Sequence, residues 1–229
     1  QSEQFKVHNY SSLLPKNGAT VETFALFEDR QGTLWIGTQK GLIKVSTPYV
    51  RPTFSIYQND AAHRQSLSED FVSGMIDDPF QPNNYLWVST KGGGLNRLNK
   101  STGHFEHFTE KDGLPNKVVY GVLADNEKNL WVSTNRGIAR FHPTSLIFTN
   151  FNKSDGIQDD EFNTNAYFKS PSGEILFGGV NGLSIFRPSA LKSTQKTPVV
   201  RIIGLKINNK SIEPSNGGGL LEQAIEHSK

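Results

Sequence analysis

The chain has 229 residues, 35% of them hydrophobic and 20% charged, which is the composition of a globular protein with one large or two modest domains. Its 24 basic and 22 acidic residues leave a net charge of +2, too balanced to indicate nucleic acid or an anionic membrane surface as the partner. The absence of cysteine excludes disulfides and thiolate-bound metals.

One short hairpin pattern occurs four times. Residues 33–45 read TLWIGTQKGLIKV, 84–98 read NYLWVSTKGGGLNRL, 128–141 read KNLWVSTNRGIARF and 173–186 read GEILFGGVNGLSIF. Trp35, Trp87 and Trp131 are 52 and 44 residues apart, and Phe177 follows after 46 more. A period of about 40–50 residues is that of a β-propeller blade. A helical repeat is excluded because no stretch sustains a 3.6-residue apolar stripe.

Each repeat divides into four predicted strands. In the third repeat these are residues 118–125, which form the innermost strand, then 130–134, 138–141 and the outer 147–151. In residues 34–38, Leu34 and Ile36 point to one side and Trp35 to the other, so both faces are apolar and both must be covered. We therefore predict an all-β fold of four antiparallel four-stranded blades over residues 11–192, with the tryptophans between blades and almost no helix.

Longer segments carry a family resemblance. Residues 112–143 (DGLPNKVVYGVLADNEKNLWVSTNRGIARFHP) resemble the two-component-regulator propeller repeat, and residues 155–189 resemble the last such blade of a propeller. Residues 197–212 (TPVVRIIGLKINNKSI) resemble the opening of the Y_Y_Y domain, an immunoglobulin-like β-sandwich that follows these propellers. The chain thus resembles the periplasmic sensor region of hybrid two-component systems.

The resemblance implies a signalling role. A full-length member would be a histidine kinase of the inner membrane with a periplasmic ectodomain, working as a homodimer and controlling polysaccharide-utilisation genes by phosphorelay. The ligand expected for the ectodomain is an oligosaccharide. This chain itself is predicted not to be an enzyme. The alternative is a carbohydrate-active enzyme, a glycosidase or lyase, built on a propeller.

The resemblance also implies that the chain is a fragment. A propeller of this family has seven blades, within the range that propellers span. We therefore interpret residues 1–10 as the outer strand of a preceding blade and residues 193–229 as a linker and the truncated start of the Y_Y_Y domain. Within that start, residues 203, 205 and 207 alternate onto one apolar face, and Asn208 and Asn209 predict a turn. The alternative is a complete four-bladed propeller with a tail.

Motifs for catalysis or metal binding are weak. His104 and His107 are three apart, so in a strand they face opposite ways and cannot share a metal. The triple glycine at 92–94 fits an enlarged hairpin turn better than a phosphate loop, since no helix follows it. The acidic residues at 155–161 lack the spacing of a calcium loop. We predict no catalytic residue, no metal and no cofactor.

Topology supplies the candidate binding face. In a propeller the turn between the second and third strands and the loop from the fourth strand to the next blade emerge on the same side, where loops on a rigid scaffold commonly bind ligands. Lys40, Lys91, Arg136 and Asn181 are predicted to occupy matched turn positions, and the three cations among them suit an anionic ligand such as an acidic oligosaccharide. The alternative is that exposed turns simply tolerate polar residues. The candidate ligand-binding residues are Lys40, Lys91, Arg136, Asn181, Asn135, Asn116 and Asp159.

Overall fold

The computed structural model describes residues 21–191, 206–208 and 210–211. Each of the first three blades is an antiparallel sheet whose four strands pair in chain order. The first blade contains β1 (Thr23–Glu28), β2 (Leu34–Thr38), β3 (Gly41–Ser46) and β4 (Thr53–Tyr57); the second contains β5 (Val72–Asp77), β6 (Tyr85–Thr90), β7 (Gly94–Asn99) and β8 (Phe105–Phe108); the third contains β9 (Val119–Ala124), β10 (Leu130–Thr134), β11 (Gly137–His142) and β12 (Ile147–Phe151). The predicted all-β propeller is confirmed.

The fourth blade differs from the prediction of four strands. It contains β13 (Phe162–Lys169), β14 (Ile175–Gly179) and β15 (Gly182–Phe186), and its sheet has three strands among the described residues. After β15 the chain enters a 3-10 turn at Pro188–Ala190, and Pro188 has no N–H with which to continue a ladder. The helical segments among the described residues are this turn and two like it, at Glu110–Asp112 and Lys153–Asp155.

The chain divides into two compact units, and the boundary between them in the sequence falls after Leu191. In the second unit, β16 (Lys206–Ile207) and β17 (Lys210–Ser211) form a short hairpin. Ile207 pairs with Lys210, and Asn208 lies in the predicted turn. The predicted outer strand at 1–10 and the rest of the Y_Y_Y segment lie outside the described residues.

The three tryptophans occupy equivalent positions between blades, as predicted. All three are buried at 0–1% exposure, because a single sheet cannot cover both of its apolar faces. The centroid of the Trp87 ring, for example, lies 5.4 Å from that of Phe108 in its own blade and 5.3 Å from that of Phe141 in the next blade. The tryptophans therefore bind each blade to its neighbour.

Each indole also hydrogen-bonds to a buried aspartate. Trp35 donates to Asp29 at 2.9 Å, and Trp87 and Trp131 donate to Asp78 and Asp125 at 2.8 Å. The carboxylates cap the loops between the first and second strands by accepting backbone N–H groups; Asp29 accepts those of Gln31 and Thr33. A buried indole N–H would otherwise lack a partner, so the pair keeps the core free of unsatisfied donors.

The fourth blade lacks this pair, and its register corrects one expectation. Gly179 pairs with Gly182 as Thr134 pairs with Gly137, so Leu176, and not Phe177, is equivalent to Trp131. Phe177 lies on the opposite face of β14, where it joins the core cluster that contains Trp131. The prediction that Phe177 is equivalent to Trp131 is therefore wrong by one residue.

A buried lysine joins the first two blades. The Lys100 ammonium lies 2.9 Å from Asp29 Oδ2, 2.7 Å from Asp77 Oδ1 and 2.8 Å from the Pro82 carbonyl oxygen. Only 5% of the lysine side chain and 1% of the Asp29 side chain are exposed. Three acceptors satisfy the three ammonium protons, which is the condition under which a buried ion pair is tolerated.

Candidate functional site

The hairpin turns and the inter-blade loops share one face, because backbone hydrogen bonds join them. Gly41, Gly94 and Gly137, which follow the turns after β2, β6 and β10, donate to the carbonyl oxygens of Asp70, Lys117 and Asp160. These glycines have φ values of 120°, 81° and 94°, a region that other residues rarely adopt. We call this surface the turn face: the second-to-third-strand turns of the four blades together with loops 58–71, 109–118 and 152–161.

The predicted cations do not all occupy matched positions. Lys40, Arg136 and Asn181 directly precede Gly41, Gly137 and Gly182. The β6–β7 turn is one residue longer, because Thr90 pairs with Gly94. Lys91 therefore occupies the first turn position, which Asn135 holds in the third blade.

Lys91 also differs from the other two cations in its contacts. Its Nζ lies 4.7 Å from the centroid of the Phe71 ring and 5.5 Å from that of Tyr120, so two ring faces hold the ammonium. Two aromatic rings thus hold the Lys91 ammonium in place. Lys40 and Arg136 lie on the turn face without an ion-pair partner among the described residues.

Three of the predicted polar residues shape the loops. Asn116 Oδ1 accepts from the Val118 N–H at 2.8 Å, and Asn181 Nδ2 donates to the Gln158 carbonyl oxygen at 3.3 Å. The Asp159 carboxylate accepts from Lys153 at 3.0 Å, and this hydrogen bond lowers the pKa of Asp159. Their polar groups have partners within the loops, so these three residues hold the loops in shape.

Asn135 belongs to a cluster that sequence reasoning missed. The Tyr120 hydroxyl donates to Asn135 Oδ1 at 3.1 Å, and Lys91 lies over the Tyr120 ring. Glu161 follows Asp160, whose carbonyl oxygen accepts from the Gly137 N–H at 2.6 Å, so Glu161 lies beside the turn that carries Asn135. Burial raises the pKa of Tyr120, and the charge of Glu161 raises it further. We call Lys91, Tyr120, Asn135 and Glu161 the mouth cluster; its members come from the second, third and fourth blades.

Each inner strand has a bulge near the turn face, and the one in β9 places Tyr120 there. In β9 the pairing shifts by one residue between Val119 and Gly121, and Tyr120 is the extra residue. The fourth blade has a larger irregularity, since residues 163–166 of β13 lie opposite Gly178 alone. Bulges are over-represented next to active sites, where they redirect side chains.

The turn face is not predominantly cationic. Its turns and three loops carry nine Asp or Glu residues against seven Lys or Arg residues. The carboxylates are Asp60, Glu69, Asp70, Glu110, Asp112, Asp155, Asp159, Asp160 and Glu161. The three turn cations alone therefore do not select an anionic ligand, because the neighbouring loops carry more carboxylates than cations.

Other features of the described residues have structural explanations. No group of three His, Cys, Asp or Glu side chains is placed to hold a metal ion in the described part of the chain. His107 Nε2 lies 2.7 Å from the Ser66 carbonyl oxygen, and His104 precedes β8. A cavity of about 500 Å³ runs along β15, between Trp131 and Leu191, where the other blades have a fourth strand. Within the described ranges, no helix is long and apolar enough to cross a membrane.

Comparison with known proteins confirms the family resemblance. The family model of the two component regulator propeller matches residues 17–40 and 113–136, segments that end at Lys40 and Arg136. Over 208 residues the chain is 27% identical to histidine kinase P4 of Formosa agariphila. This alignment covers 89% of the chain but only 15% of the kinase, so the chain spans a small part of that relative.

Solved structures give the same fold. The extracellular domain of a hybrid two-component system from B. thetaiotaomicron superposes with a TM-score of 0.61 at 20% identity, covering 73% of this chain and 23% of that one. Virginiamycin B lyase from Staphylococcus aureus superposes with a TM-score of 0.53 at 16% identity, covering 76% of this chain and 57% of the lyase. At such identities the likeness concerns the fold alone. The chain therefore shares a repeat with the two component regulator propeller and a fold with these solved structures.

Proposed function

We propose that this chain is the extracytoplasmic ligand-sensing part of a hybrid two-component sensor, and that its turn face recognises an oligosaccharide. The observation that carries the proposal is the match to a histidine kinase over 89% of the chain, in a region with the fold of a sensor ectodomain. The kinase, the periplasmic location and the homodimer belong to the whole protein that we propose. So does the control of polysaccharide-utilisation genes.

The turn face suits recognition because its groups are held in place before a ligand arrives. Thr38 and Thr134 donate their hydroxyls to Gly41 and Gly137, at 2.8 and 2.9 Å, and so fix the turns that carry Lys40 and Arg136. Groups that are already ordered lose little conformational entropy on binding. The same turns sit on strands whose hydrogen bonds and buried tryptophans keep them rigid.

Binding without turnover separates this proposal from the enzyme alternative. The purified chain is incubated with oligosaccharides, and both the bound fraction and the chemical integrity of the sugar are measured. We expect the sugar to be bound and recovered intact. The gene downstream of residue 229 should then encode a membrane-spanning helix and a kinase. Cleavage of the sugar would replace the sensor with a propeller enzyme, and a stop codon soon after residue 229 would weaken the sensor proposal.

A further inference from the structure

We infer that the ligand contact on the turn face is the mouth cluster of Lys91, Tyr120, Asn135 and Glu161, and that it selects a neutral saccharide over an acidic one. The inference rests on the proposed function and specifies the ligand class of the same surface. It replaces the anionic ligand that the turn cations alone had suggested.

The cluster offers the mixture of groups that sugar hydroxyls require. A hydroxyl both donates and accepts, so a neutral sugar needs acceptors and donors side by side. The Glu161 carboxylate only accepts, the Lys91 ammonium only donates, and the Asn135 amide does both. Asn135 and Glu161 are exposed, while the Tyr120 ring is 8% exposed and holds Asn135 by its hydroxyl.

Glu161 is the residue that disfavours an acidic ligand. A uronate or sulfate bound at the cluster would face this carboxylate, and bringing like charges together disfavours binding. Lys91 offsets the repulsion only in part, because its ammonium is already held over Phe71 and Tyr120. The surrounding turn face, with nine carboxylates and seven cations, adds no net attraction for an anion.

The irregular segment of β13 extends the cluster with amides. Asn163 and Asn165 are exposed and lie within four positions of Glu161 along the chain. Asn165 has φ of 62°, a left-handed conformation that asparagine adopts more readily than most residues. Two more amides add donors and acceptors for hydroxyls.

The test compares matched ligands and matched variants. The probes are neutral oligosaccharides of four to six sugar units and uronic-acid or sulfated oligosaccharides of the same lengths, titrated into the purified chain by calorimetry. The variants are Glu161→Gln and Asn135→Ala. Their controls are Glu127→Gln and Asn126→Ala, exposed residues of the β9–β10 loop on the opposite face. Thermal melting checks that every variant is folded.

We expect a neutral probe to bind with an affinity that changes little between about 0.01 M and 1 M ionic strength. Glu161→Gln should weaken it about 10-fold, since one charged acceptor oxygen becomes a neutral amide oxygen and the other is replaced by a donor. The same substitution should strengthen binding of the acidic probe, because the like charge is gone. Asn135→Ala should weaken the neutral probe several-fold, and the control variants should bind like the original chain.

Three results would overturn the inference. One is exclusive binding of acidic probes with an affinity that falls steeply with salt, which keeps the sensor proposal and returns the site to Lys40 and Arg136. Another is neutral binding that neither cluster variant changes, which moves the site elsewhere on the propeller. The third is no binding of either class, which removes the proposed function and the inference together.

Discussion

Replacing the buried lysine with methionine, Lys100→Met, tests how the first two blades are held together. Methionine keeps the length and the apolar stem of the side chain but removes the charge. The Asp29 carboxylate would remain 1% exposed without its cation. Breaking a buried ion pair by removing one partner typically costs about 3–5 kcal/mol, because a buried charge is left uncompensated.

The structure favours the lower end of that range. Asp29 keeps its hydrogen bonds from Trp35, Gln31 and Thr33, and Asp77 keeps one from the Arg30 N–H. We therefore expect a loss of about 3 kcal/mol, or a fall in melting temperature of about 6–12 °C for a unit of this size. Denaturant unfolding and calorimetry measure the two quantities. The matched control is Lys153→Met, whose ion pair is exposed and should contribute less than about 1 kcal/mol.

The pH dependence of the free energy of unfolding provides a second test with Lys100→Met. Burial alone would raise the pKa of Asp29, but hydrogen bonds from Trp35, Lys100 and Thr33 outweigh it and lower the pKa below 3.8. The stability that this carboxylate supplies is present above the pKa of the unfolded chain and is lost as pH falls through the lowered value. The difference between the original chain and Lys100→Met should therefore shrink below about pH 4. A loss under about 1 kcal/mol at neutral pH, or a difference that grows in acid, would refute the reasoning.

Three further tests of the packing use five substitutions, each measured by denaturant unfolding. Trp131→Ala should cost about 3–5 kcal/mol, as for other large buried aromatics, and a loss under about 1 kcal/mol would mean that the ring is not between blades. Gly137→Ala should cost more than Gly156→Ala: both have positive φ, but only at Gly137 would a methyl group meet backbone. Equal costs would show that the backbone yields. Ser133→Ala should be neutral or stabilising, since the buried Ser133 hydroxyl has no partner among the described residues, whereas Ser89→Ala should cost about 1 kcal/mol because Ser89 donates to Gly74 at 3.1 Å. The reverse order would indicate a bound water at Ser133.

Local patterns made the blade architecture predictable. The second strand of each of the first three blades has a tryptophan on one face and aliphatic residues on the other, so both faces must be buried. The recurrence of this pattern defined the blades before any contact was known. The aspartate partners were also visible, because Asp29 and Asp125 each precede their tryptophan by six residues. Asp78 precedes Trp87 by nine, since the loop is longer there, and this irregular spacing hides the pattern.

The mouth cluster could not be predicted in the same way. One extra residue in the β6–β7 turn changes which position Lys91 occupies, and alternation of polar and apolar residues does not reveal such a shift. The bulges at Tyr120 and at residues 163–166 depend on strand pairing, which joins residues distant in sequence. Glu161 lies beside the Asn135 turn because Asp160 accepts from the Gly137 N–H, a contact between residues distant in sequence.

Hydrogen–deuterium exchange of the chain, with and without a bound oligosaccharide, tests most directly whether the turn face is the ligand face. Backbone amides in the turns at 38–41, 90–94 and 134–137 and in the 161–166 segment should exchange more slowly when the sugar is bound. The loops at 29–33, 78–84 and 125–129, on the opposite face, should exchange at unchanged rates. Slower amide exchange confined to those opposite loops, or to the residues that line the cavity along β15, would contradict the account.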